Sequence, residues 1–163
     1  MGQLAPTRRP HALPAAVTIA AAVVAIAGLG GLASDVRSEW YLSRAKPSWQ
    51  PPGWVFGPVW SVLYALLAVS AFLAWRDAHG PRRRPLLALY AANGALNLAW
   101  TYIFFQAKQP VVAGIEILLL LATIVAMAVL VRPFSRIAAT TLVPYGAWVA
   151  YASSINWAIA VQN

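Results

Sequence analysis

Val111 to Val131 reads VVAGIEILLLLATIVAMAVLV, and a single charged residue, Glu116, interrupts it. A bilayer hydrocarbon core is about 30 Å thick and needs about 20 apolar residues to cross it as a helix. In lipid each backbone N–H and C=O needs a partner within the protein, so a run of this kind spans as an α-helix. Four more runs meet the same length: Pro14–Ala33, Val55–Trp75, Leu86–Phe105 and Ile137–Val161. The reading is an all-α membrane protein, a five-transmembrane-helix bundle formed as one domain over residues 1–163. Connections between the second and fifth runs are short, which makes neighbouring helices antiparallel. The first connection, residues 34–54, is the long one.

Composition supports this reading. Hydrophobic residues make up 61% of the 163 and charged residues 10%. A soluble domain has about 25% charged residues, and a short chain has too little interior to hide the excess apolar surface. The net charge of +8 does not signal nucleic acid, because the basic residues sit at the ends of apolar runs. Such placement orients helices and meets lipid headgroups. Lipid is therefore the expected partner and nucleic acid is not. There is no cysteine, and the two histidines, His11 and His79, stand apart, so thiolate chemistry and a His-rich metal site are excluded. Arg8 and Arg9 precede the first run, as in a signal peptide. That run exceeds the roughly 7–15 apolar residues of a signal peptide, which favours a retained span.

Orientation follows from counting Lys and Arg. The N-tail and the second and fourth loops hold Arg8, Arg9, Arg76, Arg82, Arg83, Arg84, Arg132 and Arg136, eight in all. The first and third loops hold Arg37, Arg44, Lys46 and Lys108, which makes four. The positive-inside rule puts the N-terminus in the cytoplasm and residues 34–54 outside, taking a bacterial cell membrane as the setting.

The long connection carries Trp40, Tyr41, Trp49 and Trp54, too many aromatic residues for a disordered segment. Lys46-Pro47-Ser48-Trp49-Gln50-Pro51-Pro52-Gly53-Trp54 is stiffened by three prolines and expected to be roughly polyproline-like. Two readings stand: a lid holding its rings over a cavity, or a belt of aromatics at the membrane surface. On the second run Phe56, Trp60 and Tyr64 recur every fourth residue and share a face, and Gly57-Pro58 is expected to kink the helix start. On the third, Asn93, Asn97, Trp100 and Phe104 share a face. These amides either line a cavity or join helices to one another. On the fifth, Trp148, Ala152 and Asn156 form a second wall, with a kink expected at Pro144-Tyr145. Glu116 lacks the titratable neighbours of a proton relay, so structural pairing or reach to the interface is expected. No nucleophile–base pair, metal cluster or phosphate loop is present, and the inventory suits a large flat apolar ligand stacked among rings.

These residues in this order resemble the TspO/MBR family, the tryptophan-rich sensory and translocator proteins. The resemblance covers about Gly28 to Asn156. It rests on Trp40-Tyr41, the Lys46–Trp60 stretch with Leu63-Tyr64, Ala95-Leu96-Asn97-Leu98-Ala99-Trp100, Ile103-Phe104-Phe105, Pro144-Tyr145, Trp148 and Asn156. It implies a five-helix bundle, commonly a homodimer, whose first loop caps a pocket. It implies a membrane receptor or sensor for porphyrins such as protoporphyrin IX and related tetrapyrroles, with no cofactor required and with synthetic drugs as further ligands. Light-dependent porphyrin degradation is a reported activity in the family, and a transporter of tetrapyrroles or other amphiphiles is the alternative. Carried over by position, the ligand-binding residues are Trp40, Tyr41, Pro51, Phe56, Asn97, Trp100, Trp148 and Ala152, with Trp40 and Trp148 as the photochemical candidates. Mammalian members end the fifth helix with a Tyr followed by a basic residue, a cholesterol-recognition pattern. Here Asn156 to Asn163 has neither, which counts against cholesterol.

Overall fold

The computed structural model describes residues 11–163. Arg8 and Arg9, counted above for orientation, lie outside the described residues. Within them the chain is helical and contains no strand. Helix α1 is Ala12–Ala33, α2 is Glu39–Ser43, α3 is Phe56–Asp77 and α4 is Arg83–Thr101. They are followed by α5 at Pro110–Val131, α6 at Arg136–Thr141 and α7 at Val143–Gln162. Short 3₁₀ turns at Gly53–Val55 and Gly80–Arg82 lead into α3 and α4. Helix α1, helix α3 with its 3₁₀ turn, and helix α5 are each long and apolar enough to cross a membrane. Helices α4 and α7 are of similar length, 19 and 20 residues.

Prolines start helices here and do not kink them. Pro110 opens α5, and Pro144 opens α7. Pro58 and Pro85 fall in the first turns of α3 and α4, where a missing N–H breaks no hydrogen bond. The run from Ile137 to Val161 is consequently not one helix. Pro144 cannot donate to the Thr140 carbonyl, so the ladder stops, and α6 and α7 meet at Leu142. The kink expected inside one helix is a boundary between two.

The run from Leu86 to Phe105 is also corrected. It begins earlier, at Arg83, and after Thr101 widens into a π-helical turn, Tyr102–Gln106. The Ala107 N–H reaches back five residues to the Tyr102 carbonyl at 2.9 Å. A wide turn lets two consecutive rings face inward, and Phe104 and Phe105 are both buried. Such π turns concentrate at functional positions. Lys108, with φ of 57°, ends the turn in the left-handed region.

Helix α5 packs between α4 and α7, while α1 lies against α3 and α4. The main core joins Leu63, Leu67 and Ala74 of α3 to Ile117, Leu120, Ile124 and Met127 of α5, with Tyr145 and Val149 of α7. Ser70 pins the far end. It is fully buried, donates to the Ala138 carbonyl at 2.8 Å and lies 2.7 Å from the Tyr90 hydroxyl. A second core surrounds Tyr41, Phe104, Phe105, Ala113, Ile155 and Ile159. Gly30 is the buried residue of α1, whose other face is open, as suits a helix against lipid.

Candidate ligand-binding cavity

Between α1, α3, α4 and α7 lies a cavity of about 690 Å³. That volume falls within the roughly 300–1,000 Å³ of small-molecule sites. The spacing of four along α3 aims Phe56, Trp60 and Tyr64 at it, and the same spacing along α7 aims Trp148 and Ala152. Helix α4 supplies Asn97 and Trp100, and the π turn after it supplies Phe104. The rings contact one another in pairs. Trp100 stacks on Phe104 at 5.3 Å, Trp60 lies 5.4 Å from Tyr64, and Phe56 meets Trp148 edge-on at 5.8 Å.

Of the eight residues carried over by position, Tyr41, Phe56, Asn97, Trp100, Trp148 and Ala152 line the cavity. Trp40 and Pro51 are outside the lining. Trp40 lies edge-on to Phe104 at 5.7 Å, with the Arg44 guanidinium 5.2 Å from its ring centre, so it buttresses a wall residue. Trp49 and Trp54 are 51% and 76% exposed and do not face the cavity. Those two rings are placed as an interfacial belt would place them. The loop reaches the cavity instead through Tyr41, on α2, and through Ser34, Val36 and Gly53.

Residues 34–54 are held by polar contacts. Ser38 caps α2 by accepting from the Tyr41 N–H. The Lys46 ammonium donates to the carbonyls of Tyr41 and Arg44 at 2.7 and 3.2 Å and lies 4.7 Å from the Tyr41 ring centre. The Gln50 amide donates to the Tyr41 hydroxyl at 3.1 Å. Burial pushes the Tyr41 phenol above its ordinary pKa, and the Gln50 bond offsets part of that rise. Tyr41 is therefore neutral at physiological pH. Helix α7 and the residue that caps its C-terminus grip the loop: Tyr151 donates to the Trp49 carbonyl, and the Asn163 amide pairs with the Ala45 N–H and C=O at 2.9 and 3.1 Å. The backbone is not a uniform polyproline stretch, because the Gln50 N–H turns back to Pro47 at 3.0 Å.

Asn97 and Asn93 divide the two roles that spacing left open. Asn97 lines the cavity and also bonds Tyr64 and Tyr145. Asn93 is fully buried and joins Tyr145 to Thr123. Asn156 ties α7 to both neighbours, accepting from the Trp100 indole at 3.0 Å and donating to the Pro110 carbonyl at 2.8 Å. Glu116 departs from the expected pairing: both carboxylate oxygens are buried without a hydrogen-bond partner. The Trp148 indole N–H is likewise buried and unpartnered, on a residue of the cavity wall. Sequence reading missed the contribution of α1, where Gly30 and Ala27 complete the wall. It also missed Thr101 and Thr123. For Thr101 the available signal was a hydroxyl four residues after Asn97, whereas Thr123 lies on another helix and carries no such signal.

Long apolar helices around an aromatic cavity, with residues of the long connection in its lining, define a helical membrane protein with an internal cavity. The chain belongs to the TspO/MBR family, whose model matches residues 16–162. It is similar to the Translocator protein of Homo sapiens, 38% identical over 127 residues that cover 77% of this chain and 75% of the other. It is also similar to the Tryptophan-rich protein TspO of Archaeoglobus fulgidus, 30% identical over 149 residues covering 89% and 96%. The Bacillus cereus protein of that name is 32% identical over 128 residues covering 78% and 83%.

Proposed function

We propose that the protein is an integral membrane receptor of five spans that binds protoporphyrin IX-type tetrapyrroles in the aromatic cavity. The observation that carries this reading is the wall itself: Trp60, Trp100, Trp148, Phe56 and Phe104 present ring faces and edges around about 690 Å³. Flat conjugated ligands gain most from such a lining, through apolar burial and offset or edge-on ring contacts. The unpartnered Trp148 N–H adds a donor that a ligand acceptor satisfies. Synthetic drugs with fused rings suit the same wall.

Titration of protoporphyrin IX into the detergent-solubilised protein is expected to quench tryptophan fluorescence saturably. A Phe56→Ala, Trp148→Ala double variant should weaken binding at least tenfold. Equal affinity of the variant and the wild type removes the cavity as the site. Trp148 also keeps light-dependent porphyrin degradation open as a second reading, because its ring lies within the wall where Trp40 does not. Loss of porphyrin absorbance under illumination no faster than with serum albumin as carrier would sink that reading.

Topology is proposed with the N-terminus in the cytoplasm. The chain has no cysteine, so single cysteines report sidedness directly. In intact cells a membrane-impermeant maleimide is expected to label Ala107→Cys and spare His79→Cys. The opposite pattern inverts the orientation.

A further inference from the structure

The hydroxyls on one side of the cavity have a fixed polarity, set from behind the wall. Thr123 of α5 donates its one hydroxyl proton to the Leu120 carbonyl at 2.7 Å. It therefore receives, and the Asn93 amide nitrogen donates to it at 2.8 Å. With its nitrogen turned to Thr123, Asn93 presents its oxygen to Tyr145, which donates at 3.1 Å. The only proton of Tyr145 is then committed, so it receives from the Asn97 amide nitrogen at 3.2 Å. The Asn97 oxygen is left for Tyr64, which donates at 2.7 Å. A hydroxyl has one proton, and an amide has donors at one end only, so each step forces the next. The chain ends at Tyr64 Oη, on the cavity wall, which has only lone pairs left to offer.

A second oxygen beside it is in the same state. Thr101 Oγ1 donates to the Asn97 carbonyl at 3.2 Å. Both oxygens converge on Gly30 of α1: a Cβ placed there would lie 3.8 Å from Tyr64 Oη and 3.9 Å from Thr101 Oγ1. Gly30, Tyr64 and Thr101 all line the cavity. The missing side chain keeps open a corner walled by two acceptors.

Taking the cavity as the binding site, as proposed above, we infer that the Gly30–Tyr64–Thr101 corner is an acceptor-only subsite that selects ligands carrying an N–H or O–H donor on a flat apolar frame. A carbonyl or carboxylate placed there faces lone pairs in a low-dielectric setting and is rejected. A tetrapyrrole with ionised propionates would bind with that edge turned away from Gly30. Thr123 acts as a positioning residue, because it fixes the direction of every bond up to Tyr64.

Three planar probes of nearly one shape test this: carbazole, with an N–H donor; fluorene, with neither donor nor acceptor; and 9-fluorenone, with an acceptor. Affinities are read by tryptophan quenching of the full chain in detergent. Carbazole is expected to bind about fivefold tighter than fluorene, the effect of one net hydrogen bond, and fluorenone no tighter than fluorene. Gly30→Ala meets only ordinary contacts, keeps the fold and blocks the corner, so it should bring carbazole to the fluorene level; Tyr64→Phe should do the same. Thr123→Val releases the chain to run in reverse, with Asn97 donating to Tyr64 and Tyr64 donating into the cavity. Fluorenone should then gain on carbazole, which simple loosening of the bundle would not produce. Equal wild-type affinities for the three probes overturn the subsite and leave the cavity standing. Failure of all three and of protoporphyrin IX to bind overturns the cavity and the subsite together.

Discussion

Tyr145→Phe is expected to lower the midpoint of thermal unfolding in detergent by about 4–12 °C, on a scale of about 2–4 °C per kcal/mol for a chain of this size. The residue is 1% exposed, and its hydroxyl is the middle of the polar chain. Removing one oxygen strands the Asn93 carbonyl oxygen and an Asn97 N–H, both buried. An interhelical hydrogen bond in a membrane protein contributes about 0.6–1.7 kcal/mol, and an unsatisfied buried group costs about 1–3 kcal/mol. Two bonds lost at once therefore amount to about 2–3 kcal/mol by the same measures. Tyr90→Phe is the comparison. It removes one hydroxyl from Ser70, but Ser70 keeps its bond to the Ala138 carbonyl, so the drop should be less than half as large. Equal drops for the two variants would show that the Asn93–Tyr145–Asn97 chain has no special weight.

Gly114→Leu is expected to be the most damaging single change to both stability and the cavity. A Cβ at Gly114 would lie 2.9 Å from Trp157 Cε2 and 3.1 Å from Asn156 Nδ2. The indole is rigid and Asn156 is held at both ends, so neither gives way without consequence. Overpacking of this kind costs about 1–3 kcal/mol, and loss of the Asn156 bonds adds to it. Displacing Asn156 releases the Trp100 indole, and protoporphyrin IX affinity should fall with stability. Gly94→Ala gives the contrast. Its Cβ would meet Ile26 Cδ1 at 2.6 Å, the tip of a flexible side chain that swings away. Unfolding midpoints measured side by side should separate the two by several degrees. Similar midpoints would mean that the α5–α7 contact tolerates crowding.

The order of amino acids was enough to set the solvent and the helical class. Apolar runs such as Val111–Val131 have no stable form in lipid except a helix, and 61% hydrophobic residues leave no soluble alternative. It also determined which faces look inward on α3, α4 and α7, because a repeat of three or four residues is the helix period itself. Phe56, Asn97, Trp100, Trp148 and Ala152 were legible for that reason. Where helices stop was less legible. Pro144 reads equally as a kink or a start, and the π turn after Thr101 depends on Phe104 and Phe105 both finding an interior to enter.

Packing across the bundle selected which aromatic rings of the long connection reach the cavity. Trp49 and Trp54 read either as lid or as belt residues, yet Tyr41 is the ring admitted, because α2 turns it under Lys46 and Gln50. It also decided that Gly30 matters, since a glycine in an apolar helix signals nothing until Tyr64 and Thr101 are seen to converge on it. The direction of the polar chain is the clearest case. Tyr64, Asn93, Asn97, Thr123 and Tyr145 come from four helices, and no spacing along one helix shows which hydroxyl gives its proton to which amide. That order comes from contact across the bundle, where one carbonyl, that of Leu120, sets every donor up to the cavity wall.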